Sequence, residues 1–495
     1  MLSIYIYLVN KLVKYFYNTL NLNKYKGNTT GFLNILLIQL VLIQIVNANN
    51  LTKISGIISN PINSKVYICY YNIITFDQII VDSAQLDING KFSMTFVWPN
   101  YNHMVFIHES INVNLYINPK DNIELEFDAD NFNKSIKCYG IGGAVNNYLV
   151  QKLLIFNKNY PTSIYKLNEK DFIQFIDSTE NEKLIHLNNF FSKLKKNKKL
   201  VKFLKYEEAE IIYSTVNAKY TYPSLYSYMN GLKSPVLLSS NYYNFLNHIL
   251  VQNIKAFNAY SYLEFIENYF KTEVQKMFLL DSTQNIVELQ ERFLENNFSG
   301  CIKDYLYSKW IYNLLTRKND LQNASIVFSK FKNSSKNKSL IELLTMTFIN
   351  TSRMAIGEIA PNFTYYDING KLTSLSDFKG KLIYLDIWAS WCGPCIKEIP
   401  YTKKLQEKLK NRNIEFLFIS VDRDPNKWKT FVNKELLQGT HLLSSHDYSI
   451  NIEKLYNVKS FPRYFIIGAD GKILDNIAKR PSQEVILDLE RYLKD

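Results

Sequence analysis

The chain has 495 residues, 47% hydrophobic and 21% charged, with 16 glycines and 12 prolines; this excludes a disordered or collagen-like protein and leaves room for about three domains. Five cysteines in this length exclude a disulfide-stapled scaffold. The net charge of +13 is spread through a chain rich in Asn, Ile, Lys and Tyr, and its densest run, residues 193–205 (KLKKNKKLVKFLK), carries apolar residues at helical spacing, so it is read as a solvated helix face and no nucleic-acid partner is expected.

Residues 1–48 are read as an export signal. The apolar run 32–46 (FLNILLIQLVLIQIV) follows Lys24 and Lys26 and ends at Val46-Asn47-Ala48, residues a signal peptidase accepts. It is shorter than the roughly 20 residues of a spanning helix, and Asn34, Gln39 and Gln44 dilute it, which favours cleavage after Ala48 over a retained membrane tether. Residues 1–20 are themselves amphipathic, so a surface helix or a downstream start stays open for them.

Residues 49–140 hold short alternating runs (KVYICYY, KFSMTFVW, HMVFIH, VNLYIN, IELEFD) separated by turn signals such as Asn60-Pro61 and Asn89-Gly90, which predicts an antiparallel β-sandwich. Residues 141–348 show apolar positions three and four apart, as in YLEFIENYFKTEVQKMFLL at 262–280, which predicts a helical domain whose Tyr and Phe stripes are core rather than a ligand groove. Residues 355–495 alternate strand and helix patterns, the mark of an α/β domain. The DINGK at 87–91 recurs at 367–371 and is read as a shared hairpin turn, not a repeat.

The chemistry sits in the last region. A buried-strand run, LIYLDIW at 382–388, leads into Trp391-Cys392-Gly393-Pro394-Cys395 and then a helical pattern. At a helix start, unpaired N–H groups and the helix dipole stabilise a thiolate. Cys392 is therefore the expected exposed nucleophile, and Cys395, one turn on, the buried resolving thiol of a Cys392–Cys395 disulfide. A zinc site would need a second ligand pair, whereas Cys69, Cys138 and Cys301 are isolated with no His nearby, so neither metal nor cofactor is expected. Cys69 and Cys138 are read as buried free thiols rather than a disulfide, and the six histidines, His103 and His446 among them, as structural or surface groups.

Residues 355–495 resemble the thioredoxin-fold domain of the TlpA/ResA-like class, exported thiol-disulfide oxidoreductases of the bacterial cell envelope. The resemblance rests on the WCGPC at 391–395, on Ala360-Pro361-Asn362-Phe363, Asn369-Gly370-Lys371 and LSDFKGK at 375–381, and on Phe461-Pro462 followed by RYFIIGADGKIL. The block order, sandwich then helices then α/β domain, is similar to long members of the class from Bacteroidetes-type bacteria. The resemblance implies Asp386 and Glu398 as proton acceptors for Cys395, a cis Pro462 that docks the substrate strand beside the CxxC, and Trp391 shielding the thiol. Phe461 stands where the family has Thr, Ile or Val, and the Gly393-Pro394 pair is the thioredoxin dipeptide associated with reduction. The reading is an exported reductant of protein disulfides, periplasmic or membrane-anchored, served by a membrane-bound electron donor. A peroxiredoxin would need PxxxTxxC, absent here; the non-enzymatic rival is an envelope ligand- or partner-binding protein with the last domain as an accessory. Residues 49–348 hold no second redox pair, so they are expected to select or position the partner.

Overall fold

The structure, a computed structural model, describes residues 51–494 apart from 157–161, 193, 195–196, 233, 235, 319 and 446–449. The export signal expected over 1–48, its tether alternative, part of the basic run and His446 lie outside the described residues. Two compact units divide the chain, one ending at Lys303 and the next beginning at Asp304.

In the first unit, strands β1 (Leu51–Ser59), β2 (Lys65–Tyr71), β3 (Gln78–Gln85), β4 (Lys91–Val97), β5 (His103–His108), β6 (Ile111–Tyr116), β7 (Asn122–Asp128) and β8 (Lys137–Ile141) form two four-stranded sheets, ordered β4-β1-β7-β8 and β3-β2-β5-β6. Alternation does the sorting: every second side chain of β1 and β4 is buried. Ile54, Phe92 and Leu125 from one sheet share a core with Ile68, Phe106 and Leu115 from the other. The pairing departs from the expected all-antiparallel pattern at one place, where β1 and β7 run parallel. The intervening strands return the chain in the direction in which β1 began, and a parallel pair needs such a long crossover. Gly56 permits this approach, since a Cβ there would stand 1.8 Å from the Leu125 carbonyl oxygen. Both DINGK segments close the same turn, Gly90 donating to Asp87 O at 3.0 Å and Gly370 to Asp367 O at 3.0 Å, with φ of 72° and 84°.

Helices follow: α1 (Gly143–Phe156), α2 (Glu169–Phe191), α3 (Lys198–Met229), α4 (Tyr260–Leu280), α5 (Ile286–Asn297), α6 (Gly300–Thr316), α7 (Leu321–Ser334) and α8 (Lys338–Ser352). The abundant Asn has a local role here, because Asn168, Asn197 and Asn285 each cap a helix by accepting from its first-turn N–H groups. In α4, Tyr262, Phe265 and Phe270 are core, as their spacing predicts. The basic run is only partly solvated: Leu200 and Phe203 are buried, Lys199 pairs with Asp121 at 2.7 Å, and Lys202 donates to Asn102 at 3.0 Å. Cys69 and Cys138 are buried free thiols, and burial pushes the Cys138 thiol up to about 12.

The second unit contains a seven-stranded sheet of β9 (Thr364–Asp367), β10 (Leu372–Ser374), β11 (Leu382–Trp388), β12 (Ile414–Ser420), β13 (Thr440–Leu443), β14 (Arg463–Ile467) and β15 (Ile473–Asp475), ordered β10-β9-β13-β12-β11-β14-β15. Helices α9 (Gly393–Lys408), α10 (Pro425–Glu435) and α11 (Ile486–Tyr492) belong to it, together with α7, α8 and most of α6. Every residue of β11 is buried because the strand is flanked on both edges and covered on both faces: Ile383, Leu385 and Ile387 enter one core, Leu382, Tyr384 and Trp388 the other. Met354, just before the expected boundary at 355, is buried in the first of these cores, and its carbonyl accepts from Asn476 Nδ2 at 2.5 Å. No helix among the described residues is long and apolar enough to cross a membrane.

Candidate active site at the start of helix α9

Central strand β11 delivers the chain to the CxxC through Ala389 and Ser390. Asp422, buried after β12, fixes that turn: its carboxylate accepts from Ser390 N–H at 2.9 Å and from the Ser390 and Ser420 hydroxyls at 2.7 and 2.5 Å. Cys392 is the N-cap of α9 and is joined to Cys395 by a disulfide with Cα atoms 5.2 Å apart. Its sulfur accepts from Cys395 N–H at 3.3 Å, so the sulfur faces unpaired donors of the first turn, where negative charge is stabilised. The expected contrast between an exposed Cys392 and a buried Cys395 is absent in this oxidised form, where they are 5% and 4% exposed. Gly393 and Pro394 are exposed.

Asp386 lies on β11 in register with Tyr464 of β14. Burial pushes its carboxyl well above the usual range, the nearby Glu398 charge adds to that push, and the Tyr464 hydroxyl opposes it. Asp386 Oδ1 and the Tyr464 hydroxyl are both buried, and the hydroxyl is near enough to act on the carboxyl without reaching full hydrogen-bond geometry. Glu398, in the second turn of α9, is not the exposed helix-start carboxylate its position also allows; it is 6% exposed. Ser482 holds both its oxygens, N–H to Oε2 at 3.0 Å and Oγ to Oε1 at 2.9 Å.

The Phe461–Pro462 bond is cis and leads directly into β14. Trp391 is 65% exposed, and its ring meets Phe461 edge-on at 6.1 Å, so the loop before the CxxC and the proline loop touch through these two side chains. Three residues escaped the sequence reading. Tyr464 was open to it, because a strand beginning after Pro462 places the residue two further on upon the same face. Ser482, 84 residues from Glu398, and Asp422, 32 from Ser390, carry no local signal.

Residues 355–492 match the Redoxin family. The thiol-disulfide oxidoreductase ResA of Bacillus thuringiensis is 37% identical over 147 residues, which covers 30% of this chain and 82% of that protein. ResA of Bacillus anthracis is 36% identical with the same coverage. Among solved structures, the thioredoxin domain of a thiol-disulfide oxidoreductase from Bacteroides vulgatus is 28% identical, over 28% of this chain and 98% of that one, with a TM-score of 0.26. Through this C-terminal domain the chain belongs to the ResA/TlpA-like thiol-disulfide oxidoreductases.

Proposed function

We propose that the protein is an exported reductant of protein disulfides that cycles Cys392 and Cys395 between dithiol and disulfide. The observation that carries this reading is the CxxC disulfide at a helix start, with a buried carboxyl of raised proton affinity on the strand that leads to it. In the dithiol form, the Cys392 thiolate attacks one sulfur of a substrate disulfide, forming a mixed disulfide and expelling the other sulfur as a thiolate. Cys395 then yields its proton to Asp386 and attacks the Cys392 sulfur, which expels the second substrate thiolate and leaves the Cys392–Cys395 disulfide. Two electrons pass to the substrate, and a membrane-bound dithiol donor restores the reduced form. The upward push on Asp386 supports its role as proton acceptor, since a carboxylate with raised proton affinity is a stronger base. Glu398, held by Ser482, raises that affinity further and is the second acceptor.

Pro462, Phe461, Trp391, Gly393 and Pro394 form the substrate-docking rim in this reading, supported by the Trp391–Phe461 contact and the exposure of the Gly-Pro pair. The domains are a signal or tether at 1–48, a β-sandwich at 49–140, a helical domain at 141–348 and the thioredoxin-like domain at 355–495, with the first two folded domains choosing or positioning the partner. The test is insulin disulfide reduction by the purified protein, together with Cys395→Ala expressed in the native host. Turnover by the parent and mixed disulfides on Cys392 in the variant are expected, with a mature chain beginning near Asn49. Absence of turnover, or trapping on another cysteine, refutes the cycle.

A further inference from the structure

The first turns of α3, in the first unit, carry a basic stripe that the redox chemistry does not use. Lys198, Val201, Lys202 and Lys205 fall three and four residues apart, line one open groove with Asn197, and are all exposed. Asn197 also borders a second groove, lined by Ile141 at the end of β8 and by Leu194 in the link from α2 to α3. Three aliphatic side chains therefore reach solvent beside the lysines: Ile141 is 61% exposed, Leu194 40% and Val201 37%. Acidic groups offset little of this charge. Asp121, the acidic side chain that lines these grooves among the described residues, is buried and already held by Lys199 at 2.7 Å, and Glu208 stands one turn beyond Lys205. Lys198 and Lys205 hold no ion pair among the described residues.

The chemistry of the patch selects its partner. Lysines around uncovered aliphatic side chains suit a surface that is negative at its face and apolar just beneath, because a lysine stem lies along apolar material while its ammonium stays with the charge. A contact with a folded protein instead centres on aromatic rings and arginines and is poor in lysine. Among the described residues, neither groove is lined by an arginine or by an exposed aromatic ring. A nucleic-acid backbone would answer the charge but leave the aliphatic side chains against water and phosphate.

We infer that this face docks the protein on an anionic lipid bilayer, with Lys198, Lys202 and Lys205 at the headgroups and Ile141, Leu194 and Val201 in the boundary just below them. The inference stands apart from the redox reading, because its test measures lipid binding and no turnover. The full chain is sedimented with vesicles of phosphatidylcholine, and with vesicles of phosphatidylcholine and phosphatidylglycerol in equal parts. Binding should favour the mixed vesicles and weaken as salt is raised. Each lysine at an anionic surface brings about a fivefold gain in partitioning, so Lys198→Gln with Lys205→Gln should weaken binding to the mixed vesicles about 25-fold. Ile141→Ser with Val201→Ser should weaken it about tenfold. All four substitutions lie at exposed positions, and the urea midpoint of each variant should match the parent's. Amide exchange over residues 194–205 should slow on the mixed vesicles, a local effect that a tether at 1–48 would not produce. Equal binding to both vesicles, binding indifferent to the lysine variant, or exchange over 194–205 unchanged by lipid overturns the inference. So does a stronger hold on duplex DNA than on the mixed vesicles that is lost in the lysine variant, which would give the face to nucleic acid.

Discussion

Asp386→Asn tests the central physical claim about the site, because the same carboxyl is expected to cost stability and to provide catalysis. Asp386 is buried on β11, its Oδ1 has no hydrogen-bond partner, and the Glu398 charge is near enough to add to the push of burial. Its folded-state pKa therefore lies above the 3.8 of an unperturbed aspartate. The folded protein then binds the proton more tightly than the unfolded chain does. The resulting stability is fully present below the unfolded value and is lost as pH rises through the folded one. Asn has no ionised form to desolvate, so the variant should gain on the parent as pH rises and show no pH-dependent gain in acid. Once the carboxyl ionises, removal of the buried charge amounts to about 2 kcal/mol, or roughly 4–8 °C in Tm for a unit of this size. Urea denaturation of the oxidised protein across this pH range measures the difference directly. Turnover should move the other way: loss of the proton acceptor should slow release of the mixed disulfide about 100-fold, while alkylation of Cys392 in reduced protein keeps its rate. A stability difference that does not change with pH, or a parent that gains on the variant as pH rises, refutes the argument from burial.

Three further perturbations probe the frame around the site and the first unit. Ser482→Ala removes the hydroxyl that donates to Glu398 Oε1 and leaves a buried carboxylate oxygen short of a partner; urea denaturation should show a loss of about 2 kcal/mol. Met354→Ala empties a 4% exposed position in the sheet core and should cost about 2–4 kcal/mol, so a fragment begun at Ala355 should be less stable than one begun a few residues earlier. Gly56→Ala sets a Cβ against the Leu125 carbonyl and should destabilise the first unit by about 3 kcal/mol, read as early hydrogen exchange of β1 and β7 with the second unit unchanged.

What could be read from the sequence follows the range of the interactions involved. The strand run at 382–388, the CxxC placed on a first turn, the two DINGK turns and the aromatic core face of α4 each depend on residues within a few positions of one another, where periodicity and capping act. The sequence by itself therefore determined where the CxxC pair sits and which family the last domain resembles. It missed the parallel β1–β7 pair because alternation specifies which face is buried and leaves the direction of the neighbour open. It placed a boundary at 355 because Met354 sits among small and polar residues, and only the fold carries that side chain into the sheet core. The burial of Cys392, the seating of Glu398 on Ser482 across 84 residues, the burial of Asp386 and the pairing of Lys152 with Glu207 across 55 residues were decided by tertiary structure alone. The physical reason is that burial and the presence or absence of a hydrogen-bond partner belong to the surroundings of an atom, and those surroundings come from chain segments that only the completed fold brings together.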